Sequence, residues 1–286
     1  MIDITILIVA YKNNEILIQN ISKLNNFNII VIDNDNSSNL KNKLIKFNNV
    51  KYYKLPKNLG EGYAANKGLE FINSKYTLYL NPDTLIDEKN ILSLKTIFNE
   101  NSNVGVVAPM HFNINNKYIG NYFSHPLLQR IKRNYFEKKI YNSLDKIKPS
   151  GNFCARVIWG APLFFNTIKI KKIGFFDPEF FLFFEDVDLC DRLNNIHLQI
   201  IETPFAFCYH LNENLSSKSV KYLFLTSSNF IRSQILYFKK NSQSTLKFYL
   251  RGFEYFINSL FYLIKLNKLK FYQNIFRLYG VLRSLF

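Results

Sequence analysis

Seven consecutive residues, Ile4-Thr5-Ile6-Leu7-Ile8-Val9-Ala10, form an almost wholly apolar, β-branched run. A strand with one wet face alternates polar and apolar residues, whereas an unbroken run belongs in a parallel sheet covered on both faces. The run returns at 28–32 and ends on Asp33, and between the two Ile16, Leu17, Ile21 and Leu24 recur at helical spacing. The cycle then repeats, with helices over 40–47, 61–72 and 91–98 and strands at 50–53, 76–80 and 104–108. Such alternation predicts an α/β fold, an open and mostly parallel sheet flanked by helices, with ligands bound beyond the carboxyl ends of the strands. Tyr11, Asp33 and the stretch from Asn81 to Asp83 fall at those ends.

From 111 to 150 the pattern gives way to Asn, Lys and aromatics, which reads as a long insertion. Order returns with the apolar run 156–165, broken by Gly160 and Pro162, and a short helix starts near Asp186. Strands are expected at 197–201 and 206–209. Beyond 219 the spacing of Leu223, Ile231, Ile235 and Phe238, and then of Phe248, Phe253, Ile257 and Leu260, is helical, with basic residues interleaved.

Composition narrows the class. With 48% hydrophobic residues the 286-residue chain can build a core, and 10 Gly and 8 Pro exclude a fibrous repeat. The longest apolar stretch, 253–264, contains Glu254 and Asn258 and is too short to span a bilayer. The first residues carry no basic leader, and Cys154, Cys190 and Cys208 form neither a disulfide framework nor a zinc spacing, so a reducing cytoplasm is expected. The net charge of +16 is unevenly placed: residues 218–286 hold twelve basic residues and one acid, Glu254, for +11, which leaves +5 for the first 217. AT-rich codon usage explains why Lys outnumbers Arg. It does not explain a tail with a single acid.

Four motifs carry chemistry. Tyr11 and Asp33 at strand ends suit a base, the carboxylate accepting a ring N–H and the aromatic packing on its face, although the run from Asp33 to Ser38 also reads as a turn and cap. Asn58-Leu59-Gly60-Glu61-Gly62 opens a helix whose N–H groups and dipole favour phosphate, without the spacing of a dinucleotide fingerprint. Asn81-Pro82-Asp83 presents one carboxylate after a buried strand, enough for a cation shared with a diphosphate, though an Asn-Pro turn has the same look. The strongest is the aromatic run 180–184 followed by Glu185, Asp186 and Asp188: carboxylates crowded beside an apolar wall acquire shifted pKa values. A helix N-terminus accounts for the acids but not for the wall. His210 ends an apolar strand, a position more often structural than ligating, and draws interest only beside Asp83.

In sequence order Ile-Leu-Ile-Val-Ala-Tyr, Val-Ile-Asp-Asn-Asp-Asn-Ser-Ser, Asn-Leu-Gly-Glu-Gly-Tyr-Ala-Ala-Asn-Lys-Gly, Leu-Asn-Pro-Asp-Thr, Trp-Gly-Ala and Phe-Phe-Leu-Phe-Phe-Glu-Asp-Val-Asp-Leu-Cys-Asp-Arg-Leu resemble the family-2 inverting glycosyltransferases of GT-A fold, and within them the bacterial rhamnosyltransferase-like branch. The resemblance covers about residues 3 to 240. It implies a GT-A catalytic domain over 1–217, with a nucleotide-binding half (1–110) and an acceptor-binding half (111–217); the basic aromatic helical extension over 218–286 rests on charge and helical spacing and not on the resemblance. It further implies a dTDP- or UDP-linked sugar donor and a glycan or lipid-linked acceptor in surface polysaccharide or lipopolysaccharide synthesis. By the same resemblance Asp186 is the catalytic base, and Glu185, Asp188 and Trp159 position the acceptor. Tyr11, Asp33, Asn58, Asn66 and Asn81 frame the nucleotide, and Asp83 with His210 holds a divalent cation, Mg²⁺ or Mn²⁺. Asn81 stands where the family's Asp-X-Asp motif has its first carboxylate, which weakens the metal site.

The tail suggests a location. Helices with Phe, Leu and Ile on one side and cations on the other can lie in an anionic membrane surface, here the inner face of the cytoplasmic membrane, or pack on the catalytic domain or on a second copy as a homodimer. The rival readings are a basic nucleic-acid-binding protein, which leaves the acids at 185–188 without use, and an inactive scaffold of a glycan-assembly complex.

Overall fold

The structure, a computed structural model, describes residues 3–12, 14–35, 39–118, 150–158, 160–211 and 219–285. The chain forms two compact units, Met1–Asp177 with Asp186–Asn212, and Pro178–Glu185 with Glu213–Phe286. The aromatic run 178–185 thus belongs with the C-terminal residues and not with the sequence on either side of it, a division that the expected boundary at 217 does not contain.

The first unit opens with β1 (Ile4–Ala10), α1 (Asn14–Ile21), β2 (Asn28–Asp33), α2 (Leu40–Leu44), β3 (Val50–Lys54), α3 (Glu61–Glu70) and β4 (Tyr76–Leu80). It continues with β5 (Thr84–Leu85), α4 (Glu88–Glu100), β6 (Val104–Asn113), β7 (Phe153–Cys154), β8 (Leu163–Asn166), α5 (Thr167–Ile173), α6 (Glu185–Asn195) and β9 (Gln199–His210). The strands form a single sheet in the order β3-β2-β1-β4-β8-β6-β9-β5, with β7 on β9. β1 is buried along its whole length, as its apolar run requires, and is flanked in parallel by β2 and β4. α3 lies so close to this strand that a Cβ on Gly68 would stand 2.2 Å from Leu7 Cδ1.

The sheet is parallel from β3 to β4 and mixed beyond: β8 runs antiparallel to β4 and β6, while β6 and β9 are parallel. Two expectations change here. β6 runs on to Asn113, into the stretch read as an insertion. The two strands expected around Pro204 are one, because the ladder to β6 shifts register between Pro109 and Met110, pairing Pro109 with Thr203 and Met110 with Phe207. A bulge absorbs the proline that sequence reading treats as a break. At the far end of β9, Thr84 of β5 pairs with His210 and so carries Asp83 to that histidine.

The second unit is built on α7 (Val220–Lys240), α8 (Leu246–Ile264) and α9 (Lys268–Arg283). Leu223, Ile231, Ile235 and Phe238 of α7 are buried, and Gly280 of α9 meets α7 so closely that a Cβ would stand 2.4 Å from the Ser228 carbonyl oxygen. The segment 178–185 is bound to α7 by side chains: the Ser233 hydroxyl donates to the Leu182 carbonyl (2.8 Å), Phe184 packs on Tyr237 (5.4 Å between centroids), and Lys240 pairs with Glu179 (3.0 Å).

Candidate active site

Asp33 ends β2 with no exposure to solvent. Its Oδ2 accepts from the Tyr52 hydroxyl (2.7 Å) and its Oδ1 from the Asp35 N–H (3.0 Å), so the carboxylate is fixed at the strand end. Tyr11 lies half-buried at the end of the neighbouring β1, with the Lys12 ammonium 5.5 Å from its ring centre.

Asn34, which sequence reading passed over as part of a turn, ties this corner together. It donates to Asn58 Oδ1 (3.0 Å) and the Gly60 carbonyl (3.1 Å), and it accepts from the Leu59 N–H (2.9 Å). Asn58 Oδ1 also accepts from the Gly60 N–H (3.0 Å), where Gly60 has φ +95°, a conformation that favours glycine. The loop before α3 is therefore clamped to the end of β2. Asn58 spends its side-chain oxygen on the clamp, and Asn66 spends both ends of its amide on the backbone of Phe176 (2.6 and 3.0 Å). In this structure both asparagines hold protein backbone or side chain around the crevice.

A second overlooked residue is Glu61, the first of α3, whose carboxylate accepts from the Tyr79 hydroxyl. Burial, with a smaller contribution from the Asp83 charge, pushes it up to about 7. Asp83 itself has its Oδ1 3.5 Å from His210 Nε2, and the two strands meet again through the Leu211 N–H and the Asp83 carbonyl (2.9 Å). His111 is buried, its Nε2 has no hydrogen-bond partner among the described residues, and burial followed by the His210 charge lowers it to about 3. Among the described residues no three His, Cys, Asp or Glu side chains stand close enough to form a complete cage for a metal ion.

Asp186 lies half-buried in the first turn of α6. Its Oδ2 accepts from the Gly160 N–H (2.7 Å) and its Oδ1 from the Val187 N–H (2.8 Å). Burial raises the carboxyl above its usual range, against the pull of those N–H groups. Gly160, at φ +58°, is also the neighbour of Asn81, whose Nδ2 would lie 4.0 Å from a Cβ placed on that glycine. The Asn81 turn and the Asp186 carboxylate thus meet on opposite sides of one glycine. Glu185 is buried at the start of the same helix. Asp188 is engaged with Arg192 Nε (2.8 Å), and that guanidinium also donates to the carbonyls of Ile173, Gly174 and Phe175, so the pair braces the turn after α5. Trp159 lies outside the described residues.

Residues 5–159 match the family model described as "Glycosyl transferase family 2". The chain belongs to glycosyl transferase family 2. The match takes in Tyr11, Asp33, Asn58, Asn66, Asn81 and Asp83, while Asp186 and His210 lie beyond it and stand on their own geometry. The chain is also similar to the "Low-salt glycan biosynthesis hexosyltransferase Agl10" of Haloferax volcanii, 23% identical over 213 residues, 73% of this chain and 67% of that one. Among solved structures the fold matches GalNAc-T7 with UDP, GalNAc and Mn²⁺ (TM-score 0.59, 13% identity, 80% of this chain) and TarS 1–349 of S. aureus (TM-score 0.51, 15% identity, 79% of this chain). The chain spans about half of the GalNAc-T7 chain and 64% of the TarS chain. At these identities the likeness is one of fold, and the fold is the GT-A type.

Proposed function

We propose that this family-2 glycosyltransferase moves a hexosyl unit, rhamnose included, from a dTDP- or UDP-linked donor to a hydroxyl of a glycan or lipid-linked glycan, with inversion at the anomeric carbon, in the building of surface polysaccharide or lipopolysaccharide. The observation that carries the reading is Asp186: a carboxylate aimed by two backbone N–H groups, raised in pKa by burial, and adjacent through Gly160 to the Asn81–Asp83 turn. An inverting transfer needs one base that takes the acceptor proton while the oxygen attacks opposite the leaving diphosphate. A carboxylate made more basic by burial meets that need better than an exposed one.

The remaining roles follow from position. Asp33 and Tyr11, at adjacent strand ends, receive the base; Asn34 and Asn58 shape the loop that faces the phosphates; Asn66 holds the wall behind α3. Glu185 and Asp188 support the acceptor side, Asp188 through its hold on Arg192. Asp83 and His210 fit a cation that takes few protein donors and completes its shell with diphosphate oxygens and water. Such an ion, Mg²⁺ or Mn²⁺, would neutralise charge on the departing diphosphate. The UDP and Mn²⁺ named for the GalNAc-T7 structure and the glycan named for Agl10 support the donor, cation and acceptor classes. We place the reaction at the inner face of the cytoplasmic membrane, where a lipid-linked acceptor is presented.

A thermal-shift screen of sugar nucleotides, with and without Mn²⁺ or Mg²⁺, tests the donor half. Stabilisation by a dTDP- or UDP-sugar, lost in Asp33→Ala, is expected. No stabilisation by any nucleotide under either condition would overturn the reading.

A further inference from the structure

The helix α8 is inside out. Its buried positions include Gly252 and Ser259, and a Cβ on Gly252 would touch Val281 Cγ1 of α9 at 3.3 Å, so the side that meets its neighbours includes small residues. Phe248 apart, its large apolar residues point the other way. Leu250, Phe253, Ile257, Leu260 and Ile264 recur at spacings of three and four, which places them on one stripe, and they are 63, 68, 47, 43 and 82% exposed. A helix of a water-facing bundle has the reverse arrangement, and an exposed apolar stripe this long marks an interaction surface. Sequence periodicity treats Phe248 and Phe253 as one face. The structure separates them, burying Phe248 and exposing Phe253.

The charge around the stripe indicates its occupant. Winding at about 100° per residue puts Arg251 and Lys265 along one edge of the apolar arc, where Glu254, the single acid of residues 218–286, also falls, while Lys247 turns to α7, its ammonium 4.1 Å from the Phe238 ring centre. A second copy of the chain docked stripe to stripe would bring two +11 tails together, which repulsion opposes. A bilayer with anionic headgroups meets both demands: acyl chains receive the stripe, and phosphates receive Arg251 and Lys265 at its edge. No helix among the described residues is long and apolar enough to cross a membrane, so α8 is suited to lie in the interface plane over its length of about 28 Å.

We infer that α8 is an interfacial anchor, its 250–264 stripe sunk into an anionic lipid surface and its Arg251–Lys265 edge held at the headgroups. This deepens the location part of the proposed function, yet it is tested without any sugar transfer, so the two fail separately. The full chain is floated with vesicles of phosphatidylcholine alone and of phosphatidylcholine with phosphatidylglycerol, at low and high NaCl, beside two variants. One carries Leu250→Ser, Phe253→Ser, Ile257→Ser and Leu260→Ser; the other carries Arg251→Gln and Lys265→Gln.

The parent should float with the anionic vesicles, less so at high salt. The serine variant, with far-UV dichroism unchanged, should lose at least tenfold in partition. The glutamine variant should lose the preference for anionic over neutral vesicles while keeping some apolar binding. Failure of the parent to float with anionic vesicles overturns the inference, and so does equal partition of the serine variant. A parent that is dimeric by light scattering, with the serine variant monomeric and neither bound to vesicles, would assign the stripe to a second copy instead.

Discussion

Asp186 is held in a state that its acidity opposes. Burial favours the protonated carboxyl, while the Gly160 and Val187 N–H groups favour the anion. The rate should therefore rise with pH through the raised value, as the acid becomes a base. Asp186→Asn keeps the size and one hydrogen-bond acceptor but cannot take a proton, so kcat should fall by about 10²- to 10⁴-fold and the ascending limb of the pH profile should vanish. Initial rates across pH for parent and variant check this, and a variant that keeps the ascending limb would give the limb to another group. Asn34 is the residue-scale counterpart on the donor side. Asn34→Ala deprives the Leu59 N–H of its partner and Asn58 Oδ1 of one of its two donors in a part-buried corner, for a loss of about 1–3 kcal/mol of stability. Because the lost contacts shape the Gly60 loop, KM for the donor should also rise, which a merely structural position far from the crevice would not do. Denaturant melts and donor KM measured on the same variant separate the two effects.

At the scale of elements, the strand pair β6 and β9 carries two buried titratable groups whose pH effects oppose. Burial raises Glu202, whose carboxylate also accepts from the Tyr118 hydroxyl (2.9 Å), from 4.5 to about 7. The native state thus keeps a proton that the unfolded chain has released, so this contribution is complete below pH 4.5 and is lost as pH rises through 7. His111, lowered from 6.5 to about 3, acts in reverse: its contribution is complete above pH 6.5 and is lost as pH falls towards 3. Melting temperature against pH should fall less between 4.5 and 7 in Glu202→Gln than in the parent. In His111→Gln it should fall less on acidification from 6.5. An unchanged slope in either variant would count against that group's burial. These groups were not legible in the sequence, where Glu202 looks like any strand-edge acid and His111 falls in a stretch without pattern. β1, β2 and β4 were legible because burial on both faces leaves an unbroken apolar run. The doubled strand around Pro204 was not, because a bulge resolves the proline only through its pairing with β6. The same holds for the site: Asp33, Asp83 and Asp186 announce themselves by type and place, whereas Asn34, Glu61 and the Asp188–Arg192 brace acquire meaning only from partners 18 to 26 residues away, or from a turn closed in space.

For the whole molecule, the division of the chain at three places rather than one sets how it can be cut. Residues 178–185 belong to the C-terminal unit, and Asp186 follows directly. Within that unit Phe180 has no exposure and Phe184 is 8% exposed, covered in part by Phe230 and Tyr237 of α7. Phe183 and Phe184 hold consecutive positive φ angles of 69° and 70°, which aromatic residues keep only where packing over-determines them. Ending the chain at residue 217, the boundary that charge suggests, removes α7 with Ser233, Tyr237 and Lys240, and leaves an apolar segment with two strained residues immediately before Asp186. The truncated protein should therefore be poorly soluble. Its soluble fraction should show weaker near-ultraviolet dichroism and no sugar transfer, even where a donor nucleotide still raises its melting temperature through the Asp33 corner. A charge-reduced full chain, with Arg251 and Lys265 changed to Gln, keeps α7 and should remain soluble and active on a water-soluble acceptor. Comparing the two separates the tail's duty to hold 178–185 from its charge: a soluble, fully active chain ending at 217 would show that the +11 tail and the site are independent after all.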